Sequence, residues 1–246
     1  MKKNLYVGLA GAYTYSKLDW NQSIGDGSAQ GYYGLLYANW WSDHFFASGA
    51  LMGAYDVYTE KRSIHLFTTG MGGMQLNRHA SADFGGCEGG AFLSAGALFN
   101  AAGIDFIPFT MVEYYYLHQG SFEEAGAQSI DLKVSSSNMD LLRTWMGLGM
   151  AKCFVTNGMK WIPQGQLAVV REERFRGKSY RATMKGNDSL YFTVSGMKPC
   201  RTLVAPQVGI VGWMCDDRVS LSLFYSAQLN ANYQDQQVNF QLSCGF

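Results

Sequence analysis

Apolar and polar residues alternate with period two over stretches far longer than an ordinary globular strand. At the C-terminus Val238, Phe240, Leu242, Cys244 and Phe246 share one parity, while Gln237, Asn239, Gln241, Ser243 and Gly245 occupy the other. Just upstream, Val219, Leu221, Leu223, Tyr225, Ala227 and Leu229 alternate with Ser220, Ser222, Ser226 and Gln228. A strand sorted this way has one apolar and one polar face, which suits an antiparallel soluble sheet or a barrel with lipid outside and water within. The same pattern predicts strands over 4–18, 28–41, 44–59, 79–99, 104–118, 127–134, 138–155, 161–173, 188–195, 200–214, 217–229 and 233–246. Globular strands usually run about five or six residues, whereas crossing a bilayer at a tilt takes roughly nine to eleven. The expectation is an all-β chain, a closed antiparallel up-and-down transmembrane β-barrel of about 12 strands, with residues 1–246 forming a single domain.

Hydropathy does not oppose this. The chain is 48% hydrophobic, yet its mean hydropathy is only -0.09, because Gly and Tyr are abundant. Its longest apolar stretch, beginning at Ala91, is broken by Asn100, Gly103, Asp105 and Pro108 and makes a poor membrane-spanning helix. A closed barrel is the remaining way to cross a bilayer, since every backbone N–H and C=O in lipid must be paired within the protein. Met1-Lys2-Lys3 followed by LYVGLAGA has the outline of a signal peptide, but Tyr6 interrupts it and YTYSKLDW continues as a strand.

Charge excludes one class of partner. With 19 basic and 19 acidic residues there is no broad positive field for a phosphate backbone, so nucleic acid is not expected. His44, His65, His79 and His118 are scattered, no GxSxG, HExxH or phosphate-loop motif occurs, and neither an enzyme nor a cofactor is predicted. The five cysteines, Cys87, Cys153, Cys200, Cys215 and Cys244, form no CxxC pair, which argues against zinc. They read as small apolar residues, with disulfide cross-links to one another or to neighbouring molecules as the alternative.

The connections alternate in length as a bacterial barrel requires. Short ones fall at 41–44, 100–103, 135–138 and 216–218, and longer links at 19–27, 60–78, 119–126 and 230–232 are placed outside. The stretch 174–187 is too long for the turn side that this register assigns it. Tyr13, Tyr15, Trp20, Trp40, Trp41, Tyr114, Tyr115, Tyr116, Tyr225 and Tyr233 cluster near strand ends, as an interfacial aromatic girdle would. Glu113 alternates with Val112 and Tyr114, and Arg143 with Leu142 and Thr144, so both are expected to line the lumen, because a charge facing lipid costs about 2–4 kcal/mol near the midplane, less for Glu. They would line an export path or brace the barrel. Arg171 and Glu172 cannot both face inward unless one lies beyond the membrane band.

From Gly86 onward the order of features resembles the autotransporter β-domain of type V secretion. The resemblance rests on Pro108 in a strand with the Tyr114–Tyr116 exit, the loop Phe122-Glu123-Glu124-Ala125-Gly126-Ala127, Leu132, and the strand from Arg143 to Gly149. GYYGLLYANWW from Gly31 and LYFTVSGMKPCRTL extend it over nearly the whole chain. The family implies an outer-membrane barrel that exports and anchors an N-terminal passenger at the bacterial cell surface, a monomer in outer-membrane lipid. It also implies a terminal aromatic signal read by the barrel assembly machinery, here Tyr233, Val238, Phe240, Leu242 and Phe246. The family's passenger and linker helix do not precede the first strand, so a fragment starting at an internal Met is expected in preference to a passenger-free barrel. A passenger-free porin or surface adhesin barrel is the alternative function, and a soluble β-sandwich the rival class.

Overall fold

A computed structural model describes residues 4–20, 24–67, 75–176, 179–195, 202–214 and 218–244. The long alternating runs form β1 (Asn4–Trp20), β2 (Gly25–Trp41), β3 (Phe45–Phe67), β4 (Gln75–Ala97), β6 (Ile104–Gln119), β9 (Ser137–Ala151), β11 (Met159–Arg176), β14 (Thr202–Met214), β15 (Val219–Asn230) and β16 (Tyr233–Cys244). They pair antiparallel in that order, each with its neighbour in the path. Two short strands, β5 (Phe99–Ala101) and β10 (Phe154–Thr156), continue the hairpins onto β6 and β11. The path curves into a partial cylinder whose ends are β1 and β16, and these run in opposite senses, the relation that an antiparallel closing pair needs.

The all-β, up-and-down reading therefore holds, but two expected strands leave the path. Residues 127–134 contain a turn of 3-10 helix, Gln128–Ile130, and only a short strand, β8 (Leu132–Val134). Residues 188–195 belong to β13 (Asn187–Ser195), which forms a hairpin with β12 (Ser179–Met184). Together with β7 (Phe122–Glu123) these make a separate four-stranded sheet in the order β13-β12-β8-β7. Ten long strands remain, and the connection lengths then make sense. One end of the cylinder carries short links at 42–44, 102–103 and 157–158; the other carries the links that hold β7, β8, β12 and β13. Residues 135–138 are thus no turn at the short-link end, and the excess length at 174–187 belongs with the long connections.

Two of the short turns are written in their residues. Ala102 (φ 52) precedes Gly103 (φ 73), and Asn157 (φ 52) precedes Gly158 (φ 75). Consecutive positive φ values define the tight hairpin turn whose twist matches paired strands, and Asn-Gly suits it best.

The faces are sorted inside out relative to a soluble protein. On the convex face Leu9 is 80% exposed, Leu93 63%, Met146 72%, Val238 71% and Phe240 68%. Leu51, Leu167, Val169 and Val208 join them, whereas the buried polar residues of the inner face include Asp56, Ser94, Glu113 and Gln119. Leu223 and Phe240 are cross-strand partners on this outer face, with no second sheet enclosing them. The small apolar cluster of Trp145, Ala168, Val170, Leu203 and Ala205, flanked by Phe109 and Met111, lies on the inner face instead.

Candidate functional site

The concave wall carries a row of charges that strand register places side by side. Glu113 on β6 stands directly opposite Arg143 on β9, which stands opposite Glu172 on β11. Neighbouring strands lie about 4.8 Å apart, so three directly opposed side chains of alternating charge can meet in sequence. Arg143 Nη1 lies 3.5 Å from Glu113 Oε2, and Arg143 Nε lies 3.1 Å from Glu172 Oε1. The indole of Trp145 donates to Glu113 Oε2 at 2.9 Å, and the Arg143 guanidinium sits 5.0 Å from the Trp145 ring centroid. Arg143 also donates to the Gln228 side chain on β15. Between β9 and β15 the wall runs through β11 and β14, so this bond is a chord across the concavity and ties its two sides together.

A cavity of about 570 Å³ opens against this row, lined among others by Phe92, Met111, Gln166, Gln207 and Ser226. Gln166 donates to Gln207 at 2.7 Å, one more polar tie between β11 and β14. Glu172 faces inward, and its neighbour Arg171 faces outward near the strand's end, 3.6 Å from Glu173. A second inner group is absent from the sequence expectations. Buried Asp56 on β3 is gathered with Tyr33, Tyr58 and Glu88 on the inner wall. Gly31 leaves the room: a Cβ there would lie 2.8 Å from Asp56 Oδ1 and 2.7 Å from Thr14 Oγ1.

The terminal group is placed only in part. Val238, Phe240 and Leu242 share the outer face of β16, paired with Tyr225, Leu223 and Leu221. Tyr233 opens the same strand on the opposite parity, and Phe246 lies outside the described residues. Cys87, Cys153 and Cys244 are free, exposed thiols, while Cys200 and Cys215 also lie outside the described residues. No helix is long and apolar enough to cross a membrane, and no metal-binding cluster is present among the described residues.

Sequence reasoning singled out Glu113 and Arg143 by parity and left open which of Arg171 and Glu172 faces inward, but it missed Trp145 and Gln228, whose relation to them is set by pairing between strands. It also missed the polar joint between the small sheet and the wall, where Arg62 on β3 meets Glu124. The only local signal was the Glu-x-Gly-Ala portion of the loop motif, which quotes Glu124 without its partner.

The autotransporter beta-domain family matches residues 1–226. The translocator domain of the autotransporter NalP from Neisseria meningitidis aligns at 16% identity, covering 98% of this chain and 82% of that one, with a TM-score of 0.52. The beta domain of the Bordetella autotransporter BrkA aligns at 15% identity over 98% of this chain and 88% of that one, with a TM-score of 0.42. At such identities the NalP likeness is one of fold. No curated protein matches the chain.

Proposed function

The chain belongs to the autotransporter beta-domain family, and from that premise we propose how its walls do the family's work. It is an outer-membrane translocator for a passenger, and autotransporter translocator domains are transport barrels. Residues 1–246 act as one translocation unit, without catalysis of their own. The observation that carries this reading is the opposition of faces: leucine, valine and methionine stand outward along β3, β4, β9 and β11, while Glu113, Arg143, Glu172, Gln166 and Gln207 converge inward. Lipid covers the first set. A hydrated passage that an extended polypeptide can follow is walled by the second.

In this reading Glu113 and Arg143 line the passage and brace it together. Their mutual pairing matters here, because an unpaired arginine in the lumen would hold acidic segments of a passing chain, whereas Arg143, held between Glu113 and Glu172, is not free to do so. Val238, Phe240 and Leu242 supply the outward apolar ridge of the last strand and Phe246 the aromatic residue that ends the sequence motif, which the barrel assembly machinery captures by strand addition and an aromatic pocket, with Tyr233 at the strand's far end. Cysteines facing outward are available for cross-links in an oxidising compartment.

The test is to express the chain fused behind a reporter passenger in a Gram-negative host. The expected result is a heat-modifiable band in the outer membrane and a passenger that external protease removes from intact cells. A chain recovered as a water-soluble monomer, with its reporter protected inside the cell, would overturn the proposal. Deleting Phe246 should lower the membrane-inserted fraction while leaving synthesis unchanged; equal insertion would remove the terminal residue from the assembly signal.

A further inference from the structure

The four-stranded sheet is amphipathic, and its apolar side is turned toward the inside of the cylinder. Phe122, Leu132, Val134, Ala182, Phe192 and Val194 share one face, and across the gap lie Leu18, Trp20, Tyr58 and Phe84 of the long strands. Tyr58, Phe84 and Phe122 form a continuous stack, with centroids 5.1 and 4.2 Å apart. The opposite face is polar and carries the Glu123–Lys133 pair and Arg181. Since Tyr58 and Phe84 share the inward parity of Asp56 and Glu88, the small sheet is seated within the concavity at the long-connection end.

One side of this seat is fastened by polar bonds. Glu124 is 5% exposed, and it accepts Arg62 Nε at 2.9 Å, Arg62 Nη2 at 2.5 Å and the Leu132 amide at 2.8 Å. Arg62 Nη2 also donates to the Ile130 carbonyl at 3.1 Å, and Arg78 donates to the Ala127 carbonyl at 2.6 Å. Ser81 and Ala125 exchange backbone bonds of 2.9 Å in both directions, and the Gly120 amide reaches the Gly85 carbonyl at 2.9 Å. The chain follows closely here: Gly126 has φ +112, and a Cβ on it would stand 2.5 Å from the His79 carbonyl oxygen. Asp131 accepts the Ala127 amide through its side chain at 2.7 Å and the Lys185 amide through its carbonyl at 2.9 Å, which joins the β12–β13 hairpin to the same joint. The wall residues in these bonds are on β3 and β4, and the Tyr180 hydroxyl of β12 adds a bond to Gln119 Oε1 at the end of β6, 2.6 Å long. Toward β1 and β2 the sheet instead faces Leu18, Trp20, Gly27 and Ala29 across an apolar space of about 390 Å³.

We propose that the small sheet is a cap over the surface mouth of the barrel and that Glu124 is the latch holding it to the β3–β4 wall. Buried charge-assisted bonds resist separation, whereas an incompletely filled apolar gap parts readily. The cap therefore keeps its β3–β4 side fixed and yields along β1 and β2, where an exported chain passes. In the idle barrel it limits the flow of small solutes. This rests on the translocator reading above.

The experiment uses the full chain folded in detergent and inserted into planar bilayers, comparing wild type with Glu124→Gln, Arg62→Gln and the double variant. Heat-modifiable migration checks that each barrel is intact. Wild type should conduct in small steps, each single variant should conduct several-fold more, and the double variant should equal the singles, since one joint is broken in all three. Cleavage by added protease between residues 179 and 195 should rise in parallel. Should Glu124→Gln fail to fold, Arg78→Met, which removes only the bond to the Ala127 carbonyl, carries the same expectation. Folded variants with wild-type conductance and wild-type cleavage would overturn the latch. A wild-type chain that neither inserts nor shifts on heating would instead overturn the translocator reading on which it rests.

Discussion

Replacing Leu167 by Arg, beside the same change at Gln166, tests the orientation of every long strand with two adjacent residues. Both lie near the middle of β11, and Leu167 is 57% exposed on the convex face, paired with Leu148 and Pro206. Gln166 faces the inner cavity and bonds Gln207 at 2.7 Å. An arginine on the lipid face near the midplane costs about 2–4 kcal/mol. At 1.4 kcal/mol per decade that is a roughly 30- to 700-fold loss in the folded-to-unfolded ratio. With a guanidinium dependence of about 4 kcal/mol/M, the midpoint should fall by about 0.5 to 1 M. Arginine at Gln166 enters a polar, hydrated space and should change stability by no more than about 0.5–1 kcal/mol, chiefly through the lost bond to Gln207. Tryptophan fluorescence of the chain in lipid vesicles follows both unfolding curves. If water rather than lipid covers the convex face, Leu167→Arg exchanges an exposed leucine for a solvated charge at no cost. An unchanged midpoint for Leu167→Arg, or an equal loss for both variants, would refute the orientation.

Three other outcomes follow from single contacts. Glu113→Ala strands the Trp145 indole N–H and leaves Arg143 with Glu172, so it should destabilise the barrel by about 1–3 kcal/mol, and Glu113→Gln, which keeps an acceptor, by less; the temperature of the heat-modifiable transition reads both. Gly147→Ala puts a Cβ 2.6 Å from the Phe109 ring and 2.8 Å from the Ala168 Cβ, so overpacking should cost about 1–3 kcal/mol in the same assay. In the cap, the hydrogen bond from Lys133, and secondarily its charge, holds the Glu123 carboxyl below the usual carboxylate range. A lowered folded value means that the pair's contribution is present above the unfolded value near 4.3 and is lost as pH falls through the depressed folded one. NMR titration should place Glu123 below the ordinary value in wild type and return it there in Lys133→Met, and identical titrations would remove the pair.

The sequence pattern was most legible where it ran longest. β15 and β16 alternate for a dozen residues each, and their expected limits differ from the observed ones by a few residues at most. It misled where alternation was short, at 127–134 and 188–195, because a four- to eight-residue alternating segment looks the same in a membrane wall and in a surface sheet. Length sets β8 apart, with 3 residues against 18 for β11, whereas β13 has 9 and leaves the wall only through its pairing with β12 in the second sheet. The Asn157-Gly158 pair carried a hairpin signal that would have placed a turn between β10 and β11 and restored the alternation of short and long connections. The joint of Arg62 with Glu124 was out of reach for a different reason. Its partners are 62 residues apart and meet only because the loop folds back into the cylinder.

The inner charge row has a consequence for folding that its stabilising value alone does not express. A one-residue slip of β9 would carry Arg143 to the lipid face and bring Leu142 inward, so the penalty of about 2–4 kcal/mol for the misplaced arginine adds to the loss of contacts with both Glu113 and Glu172. Apolar replacements of buried ionic groups are often neutral for stability, so the row is better understood as a device that fixes register. The triple variant Glu113→Gln, Arg143→Met, Glu172→Gln should then retain a melting temperature near wild type yet refold into a mixture. The measurement is the fraction reaching the single heat-modifiable band, with cross-linking of a cysteine pair placed at Val112 and Thr144 reporting native register. A large loss of stability with a homogeneous native register would show that the row braces the wall without selecting its alignment.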